Sequence, residues 1–142
     1  RQAKAEELGA IVVRPEEGES VVEAIHRLTG GGADVSYEVT GVPVVLGQAL
    51  AAVHKAGECM VVSIWEREAS INPNEFAIQE KSLKGIIAYR HIFPKVLELM
   101  EQGYFSAEKS VTKKIKLENI VEEGFVELTQ DNSQIKILVQ PD

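Results

Sequence analysis

Short apolar segments alternate with helix-like segments along most of this chain, and that alternation restricts the fold more than any other feature. The strand-like segments are Ala10–Val13, Val35–Val39, Glu58–Ile64 and Leu83–Ala88. Ala10–Val13 is a continuous apolar run, which is typical of a strand that is buried on both faces of a sheet. Strands separated by helices form parallel sheets with right-handed crossovers. The sequence therefore predicts an α/β protein with a parallel sheet and flanking helices.

The predicted helices have recognisable ends. They cover residues 1–8, 20–29, 43–56, 75–79 and 93–101. Ser20 and Glu23 have the spacing of a capping box, and Pro43 suits a first helical turn. The triplet Gly30–Gly32 could suggest a phosphate-binding loop, but it follows a helix and not a strand, so a helix stop is favoured. Beyond these helices the tail predicts a half-exposed strand at 111–117, an amphipathic segment at 118–128 and a last strand at 135–139.

The stretch Asp34–Gly41 is the candidate for a ligand-binding edge. It is a strand that ends in Thr40-Gly41 and runs into a helix, and ligands of parallel sheets bind beyond the carboxyl ends of the strands. None of the 142 residues forms a G-x-G-x-x-G or G-x-x-x-x-G-K-S/T motif. Two interpretations stay open: another α/β protein, or a dinucleotide-binding domain whose first part lies upstream. The first helix has no capping residue at its start, which favours a segment of a longer protein.

Composition excludes several partners. The net charge of −7 repels nucleic acid and anionic membranes. The single cysteine, Cys59, lies in a strand-like segment, where we expect a core residue. The sequence has no signal peptide and no apolar run of about 18 residues, so a cytoplasmic location is the default expectation.

The histidines and the tryptophan give weaker signals. His26, His54 and His91 lie on separate elements without the spacing of metal ligands, so no metal site is predicted and each is expected at the surface. Trp65 follows a strand, where it could line a substrate or subunit contact or cover the core as an aromatic lid.

The order of motifs resembles the zinc-type medium-chain alcohol dehydrogenases. Within that family it is most similar to the 2,3-butanediol dehydrogenases, close to the sorbitol and threonine dehydrogenases. The residues behind the resemblance are Ala5–Ala10, Asp34–Gly41, Gln48–Leu50, Val61–Glu66, Glu80–Gly85 and Ile120–Phe125. The resemblance covers the whole chain in order, and the series is more specific than any one motif.

The resemblance implies a carboxyl-terminal fragment of such an enzyme. Residues 1–110 would then be an incomplete NAD(P)-binding Rossmann domain, and residues 111–142 would return to the catalytic domain. The glycine-rich turn and the zinc ligands would lie upstream of Arg1. The parent protein would bind NAD(P) and zinc and transfer hydride between a secondary alcohol and nicotinamide, whereas the fragment alone would be inactive.

The resemblance also implies seven cofactor-binding positions, which come at or near the ends of three predicted strands: Thr40, Gly41, Val42, Val62, Ser63, Ile86 and Ala88. The first three would contact the adenosine side of the cofactor, the next two the nicotinamide ring, and the last two the carboxamide. Periodicity alone favours a different interpretation for Val62, Ile86 and Ala88, namely that they are core residues.

A homo-oligomer is expected. The resemblance implies an edge strand near Ser70–Asn72 that pairs with its copy in a second subunit. Without the upstream strands, Ala10–Val13 must pair directly with Val35–Val39, swap into another chain through Ile11–Val13, or stay frayed. We expect direct or intermolecular pairing, because unpaired buried amides cost about 1–3 kcal/mol each. A non-catalytic α/β self-assembly or interaction module is the alternative function.

Overall fold

The computed structural model describes residues 2–105 and 107–141, so the predicted helical position of Arg1 lies outside the described residues. The described residues form two compact units, one of Val13–Arg90 and one that draws on Arg1–Val12 and His91–Asp142. Both contain parallel strands with helices, which confirms the predicted α/β class. The predicted domain boundary at residue 110 stays a prediction.

The secondary structure follows the predicted order except that Ala10–Val13 is not a strand and that the short helix Ala107–Ser110 was not predicted. The α-helices are α1 (Gln2–Glu7), α2 (Val21–Thr29), α3 (Pro43–Ala52), α4 (Asn74–Ala77), α5 (Phe93–Glu101), α6 (Ala107–Ser110) and α7 (Glu127–Gln130). The strands are β1 (Ala33–Glu38), β2 (Val53–Val61), β3 (Ser82–Gly85), β4 (Lys113–Lys116) and β5 (Ile137–Gln140). A 3-10 turn, Leu117–Asn119, and a π-helical segment, Ile120–Val126, precede α7. None of the described helices is long and apolar enough to cross a membrane.

The core of the Val13–Arg90 unit lies between α3 and a three-stranded parallel sheet of order β1-β2-β3. Its fully packed members are Leu46, Leu50 and Cys59, and Cys59 is completely buried, as predicted. Trp65 packs against this cluster, which supports the interpretation of an aromatic lid over the core.

The capping box predicted for α2 is present. Ser20 Oγ accepts a hydrogen bond from Glu23 N at 3.2 Å, and Glu23 Oε2 accepts one from Ser20 N at 2.7 Å. The helix ends at Gly30, whose φ of 74° is the left-handed conformation of a helix stop. These local signals placed both ends of α2 from sequence.

Helix α3 ends at Ala52, four residues before the predicted end, and β2 begins at once. Three successive carbonyls, residues 49–51, accept hydrogen bonds from Ser36 Oγ (2.8 Å), Lys81 Nζ (2.8 Å) and His26 Nε2 (2.9 Å). Carbonyls at a helix end need such partners when no further turn follows. The predicted helix through Ala56 is therefore wrong, because side chains from distant elements end it earlier.

The predicted strand Ala10–Val13 is also wrong for this structure. The segment forms no strand, it does not pair with β1, and the Ile11 side chain is 83% exposed. An apolar run favours burial, but a strand also requires a partner with which its amides can pair. Within the described residues Ala10–Val13 pairs with no strand, so the direct pairing with Val35–Val39 is not found.

The second unit contains a two-stranded parallel sheet. Strands β4 and β5 pair with Ile115 opposite Val139, and the helical segment between them carries the amphipathic sequence predicted at 118–128. Ile115 is buried beside Gly124, where an added Cβ would lie 3.3 Å from its Cδ1 atom.

Candidate cofactor edge

The three strands of the larger sheet end at the same level. Glu38 of β1 is opposite Val61 of β2, and Val61 is opposite Gly85 of β3. The pairing extends one step further, since Val62 N donates to the Glu38 carbonyl at 2.9 Å and Ile86 N donates to the Val61 carbonyl at 3.1 Å. The residues that follow each strand therefore share one carboxyl edge, where ligands of parallel sheets bind.

Six of the seven predicted cofactor positions meet at this edge. Thr40, Gly41 and Val42 follow β1, Val62 and Ser63 follow β2, and Ile86 follows β3. The seventh, Ala88, lies beyond β3, which ends at Gly85 and not at the predicted Ala88. Ala88 adopts a left-handed backbone (φ 49°), and no hydrogen bond within the described residues ties it to the edge.

The core interpretation of the apolar positions is contradicted. Val62 is 40% exposed, Ile86 is 52% exposed, and Ala88 is also exposed. Periodicity predicted burial because all three continue apolar strand patterns. Strands β2 and β3 end before these residues, at Val61 and Gly85, so the three apolar side chains lie beyond the sheet and are exposed.

Gly41 lies very close to the segment that follows β2. Its φ is 69°, and an added Cβ would lie 2.7 Å from the Ile64 carbonyl oxygen. Real Cβ atoms do not approach a backbone oxygen so closely, and side chains disfavour a positive φ. The turn after β1 can therefore contact Ile64 only with glycine at this position.

A cleft of about 410 Å³ opens at this carboxyl edge. It is lined by Thr40, Gly41, Val42, Pro43, Ile64, Glu66 and Arg67. The sequence analysis missed the last three, because nothing local relates them to the Thr40 turn. A larger cleft, of about 850 Å³, lies around Gly30–Gly32 and His54 at the opposite, amino edge of β1. The smaller cleft is the candidate ligand site, because ligands of parallel sheets bind at the carboxyl edge.

Glu38 is the residue at this edge that sequence reasoning missed. Its side chain is fully buried, and its Oε1 atom accepts hydrogen bonds from Thr40 N (2.7 Å), Thr40 Oγ1 (2.5 Å) and Gly41 N (3.0 Å). Its Oε2 atom accepts a hydrogen bond from the Ser63 hydroxyl. An acidic residue two positions before Thr-Gly was the one available signal, since Asp and Glu side chains often bond to nearby backbone amides in turns.

These hydrogen bonds set the protonation of Glu38. Burial by itself raises the pKa of the carboxyl, but the hydrogen bonds from Ser63, Thr40 and Gly41 stabilise the anion and outweigh burial, so the pKa lies below its ordinary value. The Thr40 hydroxyl also accepts from Val42 N at 3.2 Å, so its bonding capacity is used inside the turn. The turn therefore offers a ligand mainly backbone groups and carbon surface, and the charged side chains of the cleft are those of Glu66 and Arg67.

No zinc site is found within the described residues, where no group of three His, Cys, Asp or Glu side chains could hold a metal ion. His26 Nε2 bonds to a helix carbonyl, and His54 Nε2 lies 3.0 Å from Asp34 Oδ1. The Lys55 carbonyl and the Asp34 carboxylate together raise the pKa of His54. These histidines have structural partners and no metal-binding geometry.

Three comparisons bear on this edge. The family model described as zinc-binding dehydrogenase matches residues 1–102. The (R,R)-butanediol dehydrogenase of Bacillus subtilis (strain 168) is 59% identical over 141 residues, which cover 99% of this chain and 41% of that protein. The crystal structure of 2R,3R-butanediol dehydrogenase from Bacillus subtilis matches with a TM-score of 0.93 and 58% identity, over 99% of this chain and 41% of that one.

A more distant structure shares the fold. A putative zinc-binding dehydrogenase from Sinorhizobium meliloti 1021, bound to NADP, matches with a TM-score of 0.83 and 22% identity, over 99% of this chain and 42% of that one. The chain thus spans about two fifths of the length of the relatives it matches, since the covered shares are 41% and 42%.

Proposed function

The chain belongs to the zinc-binding dehydrogenase family, and from that membership we propose that the whole protein is an NAD(P)-linked alcohol or diol dehydrogenase. The resemblance inferred from the sequence is thereby confirmed at the level of the family. The reaction we propose moves a hydride between the carbinol carbon of a secondary alcohol and a nicotinamide ring. A butanediol-type diol is the favoured substrate class, because the relative that is 59% identical carries that name.

The observation that carries this proposal is the level carboxyl edge of β1, β2 and β3. Six positions expected to contact the cofactor come together there although they belong to three separate parts of the sequence. When bound, NAD(P) supplies the ring that accepts or donates hydride. The residues of this chain would form one wall of its site, with the Thr40–Val42 turn on the adenosine side and Val62, Ser63 and Ile86 near the nicotinamide.

The edge supplies only part of a site. Gly41 lets the turn after β1 lie against Ile64, and a cleft opens beside these residues. The 142 residues contain no glycine-rich phosphate turn, so we propose that the rest of the whole protein provides the pyrophosphate contacts.

Zinc finds no ligand set in the part of the chain that the structure describes. No step of the chemistry is therefore assigned to a metal held by this chain. We propose that any zinc ligands of the whole protein lie outside this segment, that residues 111–142 return to the catalytic domain, and that the chain alone is inactive. A cytoplasmic location stays a prediction.

The test is an assay of the whole protein that contains this chain. It is incubated with zinc, with NAD⁺ or NADP⁺, and with a vicinal diol or a simple secondary alcohol, and cofactor reduction is followed by absorbance. We expect reduction with at least one cofactor, and none from residues 1–142 alone. A zinc-loaded whole protein that binds the cofactor but oxidises no secondary alcohol would contradict the proposed reaction.

Self-assembly is the second candidate function, and the outer edge of β1 favours it. In the described residues β1 has a neighbour on one side only, and Tyr37 and Val39 are 65% and 64% exposed. Such an edge pairs readily with another strand. We propose a homo-oligomer that uses this surface or the Ser70–Asn72 and Ile11–Val13 segments, neither of which is a strand in the single chain.

Size-exclusion chromatography over a range of protein concentrations tests the oligomer. The proposal predicts a species larger than one chain that dissociates on dilution. A strictly monomeric protein with full helix and strand content would argue against assembly, while leaving the dehydrogenase proposal in place.

A further inference from the structure

A buried carboxylate joins the two turns that form the proposed cofactor edge. We propose that Glu38 is a positioning residue for the cofactor, because it holds the Thr40–Gly41 turn against the residue that follows β2. This inference rests on the proposed function, since it assigns Glu38 a part in the same site.

The contacts of Glu38 divide between its two oxygens. Oε1 receives three hydrogen bonds from the Thr40–Gly41 turn, at 2.5 to 3.0 Å. Oε2 receives the hydroxyl of Ser63, which lies 25 residues further along the chain. One side chain therefore fixes the exit of β1 and the exit of β2 in relation to each other.

A glutamate is an unusual residue at a fully buried position if its only role is to fill space. Glu38 is fully buried, and within the described residues no basic side chain forms an ion pair with it. Burying a carboxylate costs free energy unless hydrogen bonds compensate, and an apolar side chain of similar size would fill the space without that cost. What an apolar side chain cannot do is orient two backbone amides and two hydroxyls at once.

The consequence for a cofactor is geometric. With both hydroxyls directed at Glu38, the Thr40 and Ser63 backbones are held where a ligand would meet them. A binding surface must be held to within about 0.5 Å of its productive geometry to be effective. Loosening the two turns should therefore weaken cofactor binding more than it alters the chemical step at saturating cofactor.

The experiment uses the whole protein and three variants of this edge. Glu38→Met keeps the volume of the side chain but removes both carboxylate oxygens, so the turn loses its three hydrogen bonds to Glu38. Glu38→Gln is the conservative variant, because its oxygen can accept from the turn while its amide donates to the Ser63 hydroxyl. Ser63→Ala removes the link to β2 alone and gives a second route to the answer if Glu38→Met does not fold.

The readouts are the dissociation constant for NADH, from quenching of protein fluorescence, and the split between KM for the cofactor and kcat. We expect Glu38→Met to weaken NADH binding at least about tenfold with kcat nearly unchanged, and Ser63→Ala to weaken NADH binding about threefold. Glu38→Gln should restore binding to within about threefold of the unchanged protein.

Cys59→Ala is the matched control for loss of stability. Cys59 is equally buried and lies in β2, but it contacts the core and not the turn. We expect this variant to lower stability and leave NADH affinity unchanged.

Two results would overturn the positioning role. One is that the Glu38→Met and Ser63→Ala variants bind NADH as tightly as the unchanged protein. The other is that the Cys59→Ala variant loses as much NADH affinity as the Glu38→Met variant. If the unchanged protein binds neither NADH nor NADPH, the proposed function fails as well, so the two failures are distinguishable.

Discussion

The hydroxyl of Ser63, two residues beyond the end of β2, donates a hydrogen bond to the fully buried carboxylate of Glu38, the last residue of β1. The same carboxylate accepts hydrogen bonds from the backbone N–H groups of Thr40 and Gly41. Neighbouring strand ends are thus joined by a side chain and by the backbone ladder. The candidate cofactor edge is therefore one connected unit, in which the Glu38 carboxylate joins the residues after β1 to Ser63 after β2.

Gly41→Ala should destabilise the protein by about 2 kcal/mol, because alanine disfavours the positive φ and its Cβ would meet the Ile64 carbonyl. Urea unfolding of the whole protein measures the change. Gly47→Ala is the matched control, since Gly47 lies inside α3 with open space around it. That control should stabilise the protein by about 1 kcal/mol. A Gly41→Ala variant as stable as the Gly47→Ala variant would show that the turn differs from the one described.

The Glu38 carboxylate should contribute stability at neutral pH that disappears in acid. Its folded-state pKa is lower than that of the unfolded chain, so the unfolded state binds more protons as pH falls. The contribution is complete above about pH 5 and is lost as pH falls through the depressed folded-state pKa.

The difference in unfolding free energy between the unchanged protein and Glu38→Gln, measured from pH 7 downward, isolates this contribution from the other carboxyls. Other carboxyls also make stability depend on pH in acid. Glu19 is one of them, because the hydrogen bond from Arg27 lowers its pKa to about 2. We expect a constant difference above about pH 5 that moves in favour of the Gln variant in acid. A difference independent of pH would contradict the lowered pKa of Glu38.

Lys81→Met should cost about 2 kcal/mol of stability. The Lys81 side chain is 6% exposed, and its ammonium donates to the Leu50 carbonyl at the end of α3 and pairs with Glu75 at 2.7 Å. Removing it leaves a helix carbonyl and a partly buried carboxylate without their partner.

Lys84→Met is the control for that substitution. Lys84 pairs with Glu58, but its side chain is 61% exposed, so the loss should stay below about 1 kcal/mol. Chemical unfolding of both variants decides the comparison. Equal losses of stability in the two variants would mean that the hydrogen bond from Lys81 to the Leu50 carbonyl does not stabilise the end of α3.

The sequence predicted those elements whose signals are local. Helix α5 occupies Phe93–Glu101 as predicted, and Ser20, Glu23 and Gly30 define α2 through contacts within a few residues. Six of the seven positions that the resemblance implied for a cofactor lie at one edge of the sheet, and their contact with a cofactor stays a prediction.

The errors come from interactions between distant residues. The end of α3 depends on His26 and Lys81, which no window around Ala52 contains. The Ala10–Val13 segment has the composition of a strand but pairs with no described strand. Glu38 was missed for the same reason, since its burial becomes meaningful only when Ser63 is known to lie beside it.

Amide hydrogen exchange of the whole protein with and without NADH tests the central claim most directly. The account predicts slower exchange at residues 40–44, 62–65 and 85–87, which form or adjoin the carboxyl edge, and no change at Gly30–Gly32 beside the larger cleft of the amino edge. Protection confined to Gly30–Gly32 and His54, or NADH binding with no protection at the carboxyl edge, would contradict it.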